Sequence, residues 1–122
     1  MNYIETIADY LFTKYPDAYD PIPADFDFIN NLYAIEIKIA ESVTDNYYND
    51  TISLQVRVVG VVDNKYSIIS KTYELLEELN KLDIITDNYS YRIIKENVPY
   101  TSYTDEDKFN SVLMLNIIKY NE

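Results

Sequence analysis

The stretch 51–82, TISLQVRVVGVVDNKYSIISKTYELLEELNKL, changes hydrophobic period partway along, and that change decides the fold. Ile52, Leu54, Val56 and Val58 alternate with Ser53, Gln55 and Arg57, the two-residue period of a half-buried strand over 51–59. Gly60, the only glycine in the chain, follows and predicts a bulge or a close backbone approach at the strand end. Beyond it Ile69, Tyr73, Leu76 and Leu79 recur at helical spacing, which predicts a helix over 65–81. Asp63 or Asn64 would cap that helix, and Glu74, Glu77 and Glu78 would face outward.

Upstream, Ile4, Ile7, Ala8, Leu11 and Phe12 make one apolar stripe, so 2–14 reads as a helix that Pro16 stops. Residues 16–31, with Pro16, Pro21 and Pro23 among aspartates and asparagines, read as an extended connection with one short strand near 26–29. Residues 32–40 alternate, with Tyr33, Ile35, Ile37 and Ile39 on one face and Ala34, Glu36, Lys38 and Ala40 on the other. A polar loop is expected at 44–50. Downstream, 89–96 alternates through Tyr89, Tyr91 and Ile93 until Val98 and Pro99 end it, 100–107 reads as a second polar loop, and 109–120 is a strand apolar on both faces. The order is helix, two strands, helix, two strands. It predicts a single α+β domain over 1–122, a mainly antiparallel four-stranded sheet with two helices packed on one face. Ile35, Ile37, Leu54, Val56, Leu76 and Leu113 are its expected core.

At 122 residues the chain is long enough for one core without staples. No signal peptide is read at its start and no segment reaches the length of a membrane span, so the expectation is a soluble product made in a cytoplasm. Cysteine and histidine are both absent, which removes disulfides, thiolate or imidazole zinc sites and the base of a serine or cysteine triad. No glycine-rich loop exists to cradle a phosphate or a dinucleotide. The carboxylates gather in Asp17, Asp20, Asp25 and Asp27 and in Asp105, Glu106 and Asp107, without basic partners placed for phosphoryl chemistry, and read as solvated loops. No catalytic residue, metal site or cofactor is therefore expected, and the chain is read as a non-enzyme.

A net charge of −11 would repel duplex DNA. Among the fourteen tyrosines, Tyr47, Tyr48, Tyr100 and Tyr103 fall in predicted loops, where an aromatic has no core to join. They are candidates for a subunit or partner interface, the alternative being that some fold back over the sheet edge. Arg57, on a strand otherwise facing a core, reads first as an ion pair with Glu36 on the neighbouring strand, and alternatively as a contact with another subunit.

Taken in order, these features resemble a known family. A short helix, an aspartate- and proline-rich connection, a strand ending Ser53-Leu54-Gln55-Val56-Arg57-Val58-Val59-Gly60, a helix containing Glu77-Glu78-Leu79, and Asp105-Glu106-Asp107-Lys108-Phe109 before a closing strand are similar to the small tail terminator proteins of long-tailed bacteriophages. These are also labelled minor capsid or head-tail joining proteins. The chain lacks the glycine that the family often carries after its first strand, near 40–43. The resemblance implies a virion protein assembled in the host cytoplasm as a ring, most simply a hexamer, at the head-proximal end of the tail tube. Its partners would be copies of itself, the major tail tube protein and the head-tail connector or neck proteins. DNA would pass through the ring without specific binding, past an acidic lumen for which Asp45, Asp50, Asp105, Glu106 and Asp107 are the candidates. The alternatives are a head-completion or neck adaptor protein, and an acidic DNA mimic that inhibits a host DNA-binding enzyme.

Overall fold

The structure, a computed structural model, describes residues 3–40, 51–86 and 90–120. Helix α1 (Tyr3–Lys14) leads into strands β1 (Ala18–Tyr19), β2 (Ala34–Ala40) and β3 (Thr51–Val61). A short 3-10 turn at Val62–Asn64 opens helix α2 (Lys65–Leu79), which is followed by β4 (Asp83–Ile85), β5 (Ser90–Asp105) and β6 (Lys108–Tyr120).

The strands form one six-stranded sheet in the order β1-β2-β3-β6-β5-β4. The β1–β2 pair is parallel and the rest are antiparallel. The four-stranded, mainly antiparallel sheet expected from periodicity is thus corrected to a mixed, six-stranded sheet curled as a half-barrel, accompanied by two helices. The two additional strands have two and three residues, too few for an alternation to be read in the sequence. The short strand expected near 26–29 does not form, and β1 lies earlier.

The second correction concerns β5. Val98 and Pro99 do not end it. The ladder passes from Lys95 opposite Leu115 to Tyr100 opposite Leu113, so residues 96–99 swing out as a wide bulge. Pro99 sits inside that bulge, where its missing N–H costs no ladder bond. Residues 100–105, expected as loop, continue the strand to a turn at Glu106 and Asp107.

In α2 the buried stripe is Ile68, Thr72, Leu75 and Leu79, not Ile69, Tyr73 and Leu76. Leu76 is only partly buried and Tyr73 is exposed. The stripe was hidden because one of its members is polar. The Thr72 hydroxyl donates to the Ile68 carbonyl at 2.8 Å and shares a 2.7 Å hydrogen bond with Ser111 Oγ on β6, which removes the penalty of burying both hydroxyls. Asn64 is the cap residue, yet its side chain makes no cap bond and instead reaches the Leu32 carbonyl.

Gly60 resolves toward close approach. The ladder runs unbroken with Gly60 opposite Phe109, and a Cβ there would strike the Leu32 carbonyl oxygen and stand 2.9 Å from Ile68 Cδ1. Leu54, Val56 and Val58 of β3 and Leu113, Leu115 and Ile117 of β6 form one buried cluster with Ile35 and Ile37 of β2. Ile7 and Leu11 of α1 and Ile68, Leu75 and Leu79 of α2 close it from the helical side. Tyr15, just past α1, donates its hydroxyl to Glu78 of α2 at 2.8 Å and ties the helices at their rim.

Candidate interaction surface

Side chains alternate across a sheet, so the residues between the core positions define the opposite, outer face. Register places Ala34, Glu36 and Lys38 of β2 beside Ser53, Gln55, Arg57 and Val59 of β3, and these beside Asn110, Val112, Met114 and Asn116 of β6. Among the described residues, one half of this face is covered and the other is not.

The connection between β1 and β2 covers the first. The Ile22 amide donates to Glu36 Oε2 at 3.3 Å, and the Phe28 ring lies 5.0 Å beneath Lys108 Nζ. Phe26 packs on Phe28 with centroids 4.7 Å apart. Beneath this cover Glu36 is 5% exposed. Arg57 donates to it through Nε and Nη2, both at 3.3 Å, and through Nη1 to Asn110 Oδ1 at 2.8 Å. Burial pulls the Arg57 pKa down, but the hydrogen bonds and charge of Glu36, with the Tyr103 phenol beside them, outweigh it and hold the guanidinium above its ordinary value. A two-toothed carboxylate–guanidinium pair of this kind fixes orientation as well as charge. Here it fastens the connection to the sheet. Among the described residues no buried side-chain polar atom lacks a partner.

The cover ends in a turn built by Asp27. Its Oδ1 accepts from the Ile29 and Asn30 amides at 3.0 and 3.1 Å, its Oδ2 accepts from Asn30 Nδ2 at 2.7 Å, and its carbonyl accepts from Asn31 Nδ2 at 2.9 Å. The Asn30 hydrogen bonds hold the Asp27 carboxyl below the usual range, so it stays ionised. At the crest of this turn Ile29 is 95% exposed.

The half left uncovered by described residues carries Lys38, Ser53, Gln55, Met114 and Asn116, with Ile94 of β5 opposite Asn116 and Ile118 further along β6, both partly buried. Met114 is 40% exposed. The outward rows of β2, β3 and β6 hold one carboxylate among the described residues, the buried Glu36.

Of the interface candidates, Arg57 and Tyr103 come together in the covered half, and the intrachain pair of Arg57 with Glu36 is present. Tyr100 lies on the helical side, its ring stacked on Tyr73 at 5.7 Å. Tyr47, Tyr48, Asp45 and Asp50 fall outside the described residues. Asp105, Glu106 and Asp107 are all exposed at the β5–β6 turn, where Asp107 accepts from Lys108 at 2.9 Å and is held below its ordinary range by that bond. Sequence reasoning missed Asn110 and the Asp27 turn. Asn110 could not be found without the β3–β6 register, whereas the Asp27-x-x-Asn30 spacing is a readable turn signal.

No set of three or more carboxylates converges for metal binding among the described residues. Lys71, beside the depression between β2 and α2, is engaged by Glu74 at 3.1 Å. Comparison with protein families, with characterised proteins and with solved structures finds no match, so the reading of this surface rests on its own geometry.

Proposed function

We propose that this chain is a structural, non-enzymatic protein of a long-tailed bacteriophage, a tail terminator that forms a ring at the head-proximal end of the tail tube, stops tube growth and joins the tail to the neck. The reading starts from the sequence resemblance around residues 53–60 and 105–109. The structural observation that best supports it is the sorting of charge. Among the described residues most carboxylates lie on turns and helix surfaces, and the outward rows of β2, β3 and β6 hold only the buried Glu36, with Asp83 of β4 and Asp105 of β5 on the flanking strands. A ring of acidic subunits needs contact faces without acids, and a channel passing DNA needs acids that repel phosphate. Asp105, Glu106 and Asp107, exposed on a hairpin turn, are the part offered to such a channel.

The DNA-mimic alternative is less well supported. It needs a continuous row of free carboxylates, and on α2 Glu74 is bound to Lys71 while Glu78 is bound to Tyr15. Full-length protein added to polymerising tail tube protein should yield shorter, capped tubes by electron microscopy. Unchanged tube lengths at saturating concentration would remove the terminator reading.

A further inference from the structure

The edge of the sheet on the β5 side changes character along its length. Strand β4 covers it from Ser90 to Arg92, and the bulge at 96–99, with Pro99 inside it, blunts the next part. Beyond the bulge β5 pairs only with β6. The outer edge of residues 100–105 therefore carries no strand among the described residues, and the side chains from Thr101 to Asp105 are exposed. The described residues that flank 41–50, 87–89 and 121–122 all lie at the opposite end of the sheet. Which backbone groups face outward follows from the hairpin. Asp105 and Lys108 close a two-residue turn as a hydrogen-bonded pair, and such pairs alternate along an antiparallel ladder. Thr101, Tyr103 and Asp105 thus turn their N–H and C=O groups to β6, while Tyr100, Ser102 and Thr104 turn theirs to water. Sheets usually protect such a row with lysine, proline or a bulge. The run 100–104, Tyr-Thr-Ser-Tyr-Thr, has none of these and no charge, and its tyrosines and threonines favour extended backbone.

We infer that this edge pairs with the same edge of a second copy, antiparallel about a two-fold axis through Ser102. The bulge bounds the run at one end and the turn at Glu106 and Asp107 at the other, and side chains on one face must stand opposite each other. An axis through Ser102 uses the whole run. Ser102 then faces Ser102 of the second copy and Tyr100 faces Thr104, which are the pairs whose free backbone groups exchange hydrogen bonds. Thr101 faces Tyr103 between them. Each ring meets a β-branched residue, a favourable cross-strand pair. Tyr100 is already held by its stack on Tyr73, so little freedom is lost on pairing. An axis through Tyr103 instead sets Thr101 against Asp105 and runs Tyr100 onto the turn. Charge selects a second copy as the occupant. The two-fold places Asp105 opposite Pro99 of the second copy, so two chains of net charge −11 meet along an uncharged seam with their edge acids at its far ends. Self-pairing also removes both free edges at once. The contact closes at two copies and builds no ring by itself, so it goes beyond the terminator reading and does not depend on it.

The absence of cysteine makes a clean test. Full-length Ser102→Cys and Thr104→Cys chains, each substituted at an exposed position of the same strand, are oxidised mildly and their disulfide dimers are timed. With the axis at Ser102 the paired Cα atoms stand about 5.5 Å apart, within disulfide reach. The two Thr104 positions are offset by about 13 Å along the strands, out of reach. Ser102→Cys should therefore dimerise at least about tenfold faster than Thr104→Cys. Adding Thr104→Pro to the Ser102→Cys chain removes an N–H that points away from β6, and adding Thr101→Glu sets an acid diagonal to Asp105 of the second copy. Each should lower the rate to that of Thr104→Cys with circular dichroism unchanged; if the proline variant loses its fold, Thr101→Glu decides. A Thr104→Cys chain that dimerises as fast or faster, as in a parallel or unregistered contact, overturns the inference. So does an advantage that survives either added substitution in a folded chain. Tube capping is measured on the cysteine-free chain. Capping without the Ser102 preference leaves the terminator reading standing and this pairing refuted, and the preference with tubes uncapped does the reverse.

Discussion

Leu113 and Met114 are neighbours in β6, yet one is sealed from water and the other is 40% exposed. They stand for two faces of one sheet held by different physics. The helical face is apolar and continuous, and its stability grows with area removed from water. The outer face is held by a charge pair, a strap of connection and hydrogen bonds, which depend on direction more than on area. A face of the first kind is sealed by the fold, while the second leaves a side chain such as Met114 in contact with water.

The sharpest way to break this contrast is to truncate both neighbours. Leu113→Ala should cost about 3–4 kcal/mol, within the range for buried leucines, whereas Met114→Ala should cost about 1 kcal/mol or less. Urea unfolding of the two variants measures it. Similar losses would mean that the outer face is as closed as the inner one.

A smaller effect is expected from Glu36→Ala. Breaking a fully buried pair costs about 3–5 kcal/mol, but the Arg57 side chain is 27% exposed and regains some hydration, so about 2–3 kcal/mol is expected. Replacing Glu36 and Arg57 together with methionine and leucine should cost less than Glu36→Ala alone. If the double replacement is the worse variant, the pair supplies net stability and not only orientation.

The smallest effect lies at the rim of the helical face. Burial, then the hydrogen bond and charge of Glu78, raise the Tyr15 phenol above its ordinary value near 10. Its contribution is therefore complete below pH 10 and is lost as the pH climbs through the raised folded value. Tyr15→Phe should flatten the decline of stability above pH 10 and change it by about 1 kcal/mol or less at pH 7. An unchanged alkaline slope in denaturation curves would show that the tie between helices is not felt.

Much of the helical face was legible. Alternation in β2 and β3 placed Ile35, Ile37, Leu54 and Val56 in the core, and β6 was read as a strand with Leu113 inside. The errors have physical sources. Thr72 disguised the α2 stripe because a hydroxyl satisfied by Ser111 behaves as core while it reads as surface. Pro99 and a polar run disguised half of β5, because on a sheet edge every side chain from Thr101 to Asp105 is exposed. The outer surface was read only at Arg57, whose opposite charge, Glu36, was already visible on the adjacent strand. The Asp27 turn was readable from its Asp-x-x-Asn spacing, whereas Asn110 and the Met114 face depend on strand register, which leaves no periodic trace.

The sheet order also sets a timetable. The central partners β3 and β6 lie far apart along the chain, with Thr51 opposite Ile118 and Val61 opposite Lys108. Helix α2 and strands β4 and β5 must be made between them. The β5–β6 hairpin closes across Glu106 and Asp107 and forms quickly, but β3 cannot gain its inner neighbour until the thirteen residues of β6 exist. Such non-local pairing slows folding. During synthesis the apolar row of β3 therefore waits with one side unpaired, an interval in which nascent chains are exposed to aggregation. Among the described strands, the last along the chain is the one that completes the middle of the sheet.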